Sequence, residues 1–433
     1  MERLQGRARD YSWGSPQVIP ALFGYPPAHM PVAEVWLGAH PDDPARVGCT
    51  DRAPLFNPEQ IYPGHTGNDG ILAHVLAPLP DPATNLGVVN ELPTLEEFIS
   101  ADPSAVLGEE VVDSLGDQLP YLLKIIAPAE PLSLQVHPSL EQARSGFAAE
   151  EAAGIPRRAP NRNYRDANHK PELAYALTRF EALAGFRAPR RIATVLRGLN
   201  TPLTDAVREI VVRDGVRAAF SFLLAPDSRP DEQAVAAVVE ACARRDPEES
   251  PSRRADAAVL SLASYYPGDP GVVASLLMNP VTLHPGEALF IPDGTVHAYL
   301  SGVAIEIMAA SDNVLRAGLT LKHLDVPELL RVVRADAAPP VRIAPERNNR
   351  TTSTFYAPVD DFELSVVTLR DTSEWVKQPG LGPRTLVCLE GAVQAEAKGE
   401  VLAMNAGQAI FIPASDGWLS LRGFGKLVMA GVP

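Results

Sequence analysis

The tightest constraint on the fold is a phrase that the chain uses twice. Pro285-Gly-Glu-Ala-Leu-Phe-Ile-Pro-Asp-Gly-Thr-Val-His297 returns 121 residues later as Ala406-Gly-Gln-Ala-Ile-Phe-Ile-Pro-Ala-Ser-Asp-Gly-Trp418. Five of the thirteen aligned positions are identical: Gly286/Gly407, Ala288/Ala409, Phe290/Phe411, Ile291/Ile412 and Pro292/Pro413. A Gly turn, a short apolar strand, a Pro-opened turn and a further strand make up the grammar of a jelly roll. Two copies predict two related β units in one chain. At 433 residues the chain is long enough for two or three domains with ample core.

An earlier stretch suggests what the first unit is for. Leu122 to Pro138 reads as a strand, a Pro-bracketed turn and a second strand ending in Gln135-Val136-His137. Strand residues two apart share a face, so Gln135 and His137 project from one wall, with Ser133 beside them. An amide oxygen and an imidazole aimed into one cavity are half of a four-coordinate metal site. Taken alone, the tripeptide fits better a hydrogen-bonded core Gln beside a satisfied His; what overturns that lies further along the chain. Further on, Pro171–Leu177 reads as a buried strand with Glu172 at its entrance, where an unpaired carboxylate is costly. Either Lys170, in the preceding His169-Lys170 pair, or a metal supplies the positive charge. His297 then stands on a strand of the first copy of the repeat. In the second copy Trp418 takes its place and no Gln-x-His segment precedes it, so metal is expected only in the first unit.

The rest of the chain frames these residues. Val35 and Leu37 alternate with Glu34, Trp36 and Gly38, as in a strand with two distinct faces. His40 is expected to be structural, because no second ligand-type residue sits near it at strand spacing. Residues 51–92 are Pro- and Gly-rich and irregular. Thr94 and Glu97 form a capping-box pair at the head of a helix, and 139–158 looks like an amphipathic surface flap. From 188 to 265, Ala, Val, Leu and Arg recur at three- and four-residue spacing, which predicts an insertion of three to five helices. Beyond the first repeat, Glu306 sits in a strand. Asp312 and Arg316, four apart, form by default a surface ion bridge. Beside a metal cavity, Arg316 becomes a clamp for substrate oxygens or phosphate.

Charge and cysteines narrow the classes. The net charge of −15 argues against nucleic acid or an anionic membrane as a partner. Cys49, Cys242 and Cys388 are scattered without a CxxC pair, which suits a reducing compartment. Met1-Glu-Arg-Leu-Gln-Gly carries no apolar signal region, and no apolar run of membrane-spanning length occurs, so a soluble cytoplasmic protein is expected.

Four motifs in order, Leu134-Gln-Val-His-Pro138, Asn168-His-Lys-Pro-Glu-Leu173, Ile291-Pro-x-Gly-x-x-His-Ala-Tyr299 and Ser311-Asp-Asn-Val-Leu-Arg-Ala-Gly-Leu-Thr320, resemble the type I mannose-6-phosphate isomerases, a cupin family. Tyr11-Ser-Trp-Gly-Ser15 and Glu34-Val-Trp-Leu-Gly-Ala-His-Pro41 are similar to that family's N-terminal segments. The resemblance implies a mainly β fold of two cupin (jelly-roll) barrels with an inserted α-helical domain. The catalytic cupin is expected to span 1–187 and 266–335, the helical insertion 188–265, and a metal-free cupin-like domain 336–433. It also implies one zinc ion held by Gln135, His137, Glu172 and His297, with a position left open for water or substrate. Arg316 matches the family's catalytic arginine; Lys170, Asp312, Glu306 and His169 match other catalytic pocket positions. Ser133, Lys124 and Arg316 are expected to bind substrate, Lys124 and Arg316 as phosphate cations.

The implied reaction, in carbohydrate metabolism, interconverts mannose 6-phosphate and fructose 6-phosphate by moving a proton between C2 and C1 through an enediol. The expected partner is this sugar phosphate alone, bound by a monomer. Two other classes are a zinc- or iron-cupin dioxygenase and a metal-free or regulatory sugar-binding cupin. Gln plus Glu beside two His is less typical of the first, and the second needs neither the full ligand set nor the Asp312/Arg316 pair.

Overall fold

The computed structural model describes residues 1–50, 53–56 and 92–433, so nearly all of the Pro- and Gly-rich stretch 51–92 falls outside the described residues. The fold is mainly β, and its strands form three sheets. The seven-stranded sheet runs Val341–Ile343, Ala288–Ile291, Glu172–Ala176, Ala304–Ala309, Tyr121–Ile126, Glu34–Leu37, Arg7–Arg9. The five-stranded sheet runs Leu315–Arg316, Gln135–Val136, His297–Ser301, Phe180–Phe186, Met278–Leu283. The sheets are not closed barrels: these two share no continuous hydrogen-bonded ladder and meet through side chains.

Alternation explains the layering. Along Tyr121–Ile126, Leu123 and Ile125 face one way, into a core shared with Phe355, Leu364, Val387 and Phe411 of the third sheet. Ile126 faces the other way, into the core between the first two sheets, with Ala174, Ile291, Phe180, Val281 and Tyr299. Val35 and Leu37 likewise join the first of these cores, while Trp36 clusters with Leu122 and Met308 on the opposite face. The polar residues Lys124 and Glu306 lie directly across the ladder from each other, so both point to the same side.

The hairpin from His297–Ser301 to Ala304–Ala309 carries the chain from one sheet to the other. It turns at Gly302, whose φ is +107° and where a Cβ would lie 2.3 Å from the Arg179 carbonyl oxygen, so only glycine fits.

Five helices lie between residues 188 and 265: Pro189–Leu196, Pro202–Arg213, Val216–Leu224, Glu232–Arg244 and Arg253–Tyr265. Their apolar stripes, among them Val207, Phe220, Val235 and Val259, pack on Leu134, Val136, Phe186 and Ala298 behind the five-stranded sheet. Phe186 meets Phe220 edge-on at 5.0 Å, a geometry worth about 0.5–1.5 kcal/mol beyond burial alone. None of the described helices is long and apolar enough to cross a membrane.

Thr94 and Glu97 close the predicted capping box. Ser139 and Gln142 form another at the head of Leu140–Ala152, within the expected flap.

The third, nine-stranded sheet holds the second repeat copy on Gln408–Ile412 and has an apolar cluster of its own around Leu386, Ile410, Leu419 and Met429. The strand Glu2–Gln5 joins it, pairing with Gln408–Ile412, so both ends of the chain meet in one sheet. Trp418 is half-exposed there, with the Lys377 ammonium over its ring.

Candidate metal centre

His137, Glu172 and His297 bring one ligand atom each to within 4.8 Å of one another, and all three are buried. They come from three places: the end of the Gln135–Val136 strand, the head of Glu172–Ala176 and the head of His297–Ser301. Gln135 stands directly opposite His297 in the ladder, and Arg316 directly opposite Gln135. Opposed residues of an antiparallel pair share a face, so the two-residue strand Gln135–Val136 lines up an amide, an imidazole and a guanidinium.

Hydrogen bonding decides what the imidazoles can do. His137 Nδ1 lies 2.7 Å from the Asn313 carbonyl oxygen, and His297 Nδ1 lies 3.0 Å from that of Thr295. A carbonyl only accepts, so both protons sit on Nδ1 and both Nε2 atoms present lone pairs. His137 Nε2 is buried with no donor to satisfy it, and it faces Glu172 Oε1 at 3.0 Å. His297 Nε2 faces Glu172 Oε2 at 3.4 Å. Three sets of lone pairs aimed at one another call for a cation between them. Two imidazole nitrogens and a carboxylate oxygen, with the Gln135 amide adjoining, fit zinc.

The ionisation states agree with this. Burial drives the His137 imidazole down to about 4, so it is neutral near pH 7 and free to ligate. Burial opposes the charge on Glu172, but its neighbours outweigh it, Lys170 being the one that stays charged at neutral pH, and the carboxyl is held well below the ordinary range. Lys170 lies 3.5 Å from Glu172 Oε1. The lysine alternative raised by the sequence is therefore realised, yet a single ammonium on one carboxylate oxygen leaves the two imidazole lone pairs unanswered.

Around this centre lie the other expected residues. Lys124 is buried, 3.2 Å from Glu306 and 3.6 Å from Glu34, over the Trp36 ring. Burial opposes its charge, but these carboxylates raise its pKa above the ordinary lysine value. Burial lifts Glu306 to about 7 in spite of Lys124.

The Asp312–Arg316 ion bridge does not form. Asp312 instead faces His40 at 3.5 Å and Arg165 at 3.8 Å, because the 311–314 segment is not helical and the two side chains do not stack. Asp312 is a partner of His40 that sequence spacing could not reveal, but Asp42, two residues on, is a ligand-type neighbour that the sequence did offer, contrary to expectation, and it completes a second cluster. The His40 ring is satisfied, accepting from the Asp42 backbone N–H on Nδ1. Arg316 is half-buried without a carboxylate partner among the described residues; burial, then Arg165, lowers its pKa. Lys322 is lowered by burial and by both arginines. Three cations crowded near each other favour an anion between them. His169 Nε2 meets Asp361 at 2.9 Å, and Ser133 is half-buried beside Leu134.

Some contributors escaped the sequence reading. Tyr299 is two residues beyond His297 on one strand, so alternation alone pointed to it. Asn313, Arg165 and Lys322 sat in or next to quoted motifs but offered no spacing signal. Asp361, 192 residues from His169, offered none at all.

Comparison with known proteins brings in relatives along the whole length. Residues 81–189 match the family model of the phosphomannose isomerase type I catalytic domain, and residues 351–432 that of the mannose-6-phosphate isomerase cupin domain. A mannose-6-phosphate isomerase of Escherichia coli (strain K12) is 33% identical over 435 residues, covering 99% of this chain and 98% of its own. Mannose-6-phosphate isomerase 1 of Arabidopsis thaliana is 28% identical over 463 residues, covering 100% and 94%. A crystal structure of mannose 6-phosphate isomerase from Salmonella typhimurium, bound to fructose 6-phosphate and zinc, superposes with a TM-score of 0.82 at 32% identity, covering 100% of this chain and 99% of that one.

Proposed function

The chain belongs to the type I mannose-6-phosphate isomerases, and we propose that it interconverts D-mannose 6-phosphate and D-fructose 6-phosphate with one zinc ion held by Gln135, His137, Glu172 and His297. Membership sets aside the dioxygenase and the sugar-binding module. The observation that carries the site is the orphaned Nε2 of His137, buried and aimed at a carboxylate.

Bound there, zinc would act as a Lewis acid on the sugar's carbonyl, making the C2 proton removable. The remaining work falls to this chain's own side chains. Arg316 offers a fork of donors to the negative charge that develops on the enediolate oxygens. Arg165 and Lys322, crowded with it, would hold the phosphate together with Ser133. Buried between Glu34 and Glu306, Lys124 has its charge already matched, which suits it to orienting Glu306 more than to gripping phosphate. Glu306, lifted to about 7, is poised to take and return a proton near neutral pH, with Lys170 and Asp312 the other candidates for the shuttle. His169 would assist ring opening.

In domain terms, residues 1–187 and 266–335 make a discontinuous catalytic cupin, 188–265 a helical insertion and 336–433 a second, metal-free cupin. An apolar cluster confined to the last sheet supports the second boundary, while the helices share theirs with the five-stranded sheet they cover. The strand Glu2–Gln5 goes with the last unit by its pairing. Free Cys49, Cys242 and Cys388, all buried, suit the cytoplasm. A single chain carries every proposed group, so the monomer suffices.

The test is turnover of mannose 6-phosphate by chelated and zinc-restored protein, run in D2O. Loss and recovery of activity, with deuterium entering the product at C1, is expected. Full activity after the metal has been stripped would sink the zinc reading. Product free of deuterium over many turnovers would sink proton transfer through an enediol.

A further inference from the structure

We infer that Asp361, supplied by the C-terminal unit, is a positioning residue that holds His169 in the tautomer and orientation needed for opening the sugar ring. This rests on the proposed role of His169.

Asp361 lies in the connection between the strands Thr352–Tyr356 and Glu363–Lys377. Its neighbour Phe362 is fully buried in the core shared with the seven-stranded sheet, which pins the connection in place. The Asp361 carboxyl is buried, and the hydrogen bond it makes among the described residues is to His169 Nε2, at 2.9 Å. A buried carboxylate without a partner is costly, so this is a designed contact, not a chance meeting of surface groups. His169 is fixed from its other side too. Its backbone N–H donates to Asn168 Oδ1, and Lys170 next to it reaches Glu172 of the metal centre.

The carboxylate can only accept, so Nε2 carries the proton and Nδ1 presents a lone pair. His169 keeps 21% of its side chain exposed, so the imidazole is not sealed off. Ring opening needs such a group. Nδ1 takes the proton of the anomeric hydroxyl as the C1–O5 bond breaks to leave a C1 carbonyl. The imidazolium then returns that proton to O5, so no atom or charge is gained or lost. Throughout, Asp361 keeps the proton on Nε2 and faces the transient positive charge, the third member of a base-and-orienter arrangement. A plain tether between two units would need only some hydrogen bond here; a role through His169 shows in turnover.

The test uses zinc-loaded full-length protein and the variants His169→Asn, Asp361→Asn and the double variant. It reads kcat, KM for mannose 6-phosphate, zinc content and Tm. His169→Asn should lower kcat about 10²-fold, and Asp361→Asn about 10-fold, with KM and zinc content nearly unchanged. In the His169→Asn background, Asp361→Asn should add less than about twofold, since an orienter has nothing left to orient. Wild-type kcat in Asp361→Asn beside an impaired His169→Asn overturns the inference, as does a full additional loss in the double variant. If Asp361→Asn melts early, Asp361→Glu replaces it: depressed kcat at unchanged KM is expected, and wild-type kcat overturns the inference. Wild-type turnover in His169→Asn overturns instead the role given to His169.

Discussion

Tyr299 donates its hydroxyl hydrogen to Oε2 of Glu172 across 2.9 Å, from a buried ring packed against Phe180. Burial, then Glu172, raises the phenol well above its ordinary pKa, so it stays a donor at every working pH. With Lys170 on Oε1 and Tyr299 on Oε2, both carboxylate oxygens are oriented before any ion arrives. Tyr299→Phe keeps the ring and removes the donor. It should weaken zinc about 10–100-fold while leaving Tm of the metal-free protein nearly unchanged. Competition with a chromogenic chelator measures this, and unaltered affinity would refute it.

The zinc stoichiometry makes a second prediction. The expected content is one ion per chain, and His297→Ala should lose it, because two remaining lone-pair donors and an amide hold zinc poorly. Binding to the native state alone raises stability by about 4 kcal/mol at free zinc 1,000 times the dissociation constant. Chelation should therefore lower Tm of the wild type and hardly move that of His297→Ala. Elemental analysis giving two ions per chain, or an unchanged content in the variant, would contradict the single site.

Much of this site was legible in the sequence, for a definite reason. The grouping of His137, Glu172 and His297 could be read because strand alternation and Pro/Gly turns are local rules, and because a carboxylate opening an apolar strand needs an explanation. What stayed hidden was pairing across the chain. Asp312 found His40 and Arg165, not the Arg316 four residues away, because helix spacing is irrelevant in a segment that is not helical. The second repeat correctly placed a strand at Gln408–Ile412, but no local rule could bring Glu2–Gln5 beside it. Which sheet stacks on which was not legible either, because side-chain packing between layers leaves no period in the sequence.

Arg316 yields the third prediction. It is half-buried and has no carboxylate to neutralise it among the described residues, so its charge awaits an anion. In the proposed enediol mechanism, charge on the substrate oxygens develops mainly in the transition state, so turnover should suffer more than binding. Arg316→Ala is expected to lose about 10²–10³-fold in kcat and to keep its zinc and fold. Turnover within about threefold of wild type would reduce Arg316 to a structural part.

The last prediction lies far from the metal. Glu363, at the head of the strand Glu363–Lys377, is buried, and no hydrogen bond or ion pair reaches its carboxyl among the described residues. Burial pushes it up from 4.5 to about 7. In the unfolded chain it titrates near 4.5, so between those values the native state retains a proton that the unfolded state has released. Raising the pH then favours unfolding: the group is neutral and harmless below about 4.5, and its burden grows until it is complete above about 7. That rise corresponds to at most about 3 kcal/mol. Glu363→Gln mimics the protonated form at every pH and removes that slope. Urea unfolding of both proteins should show them nearly equal at pH 4.5 and the variant more stable at pH 8, by up to about 3 kcal/mol. A stability difference that is the same at both pH values would mean that Glu363 is ionised in the folded protein throughout, with a cation or water answering its charge.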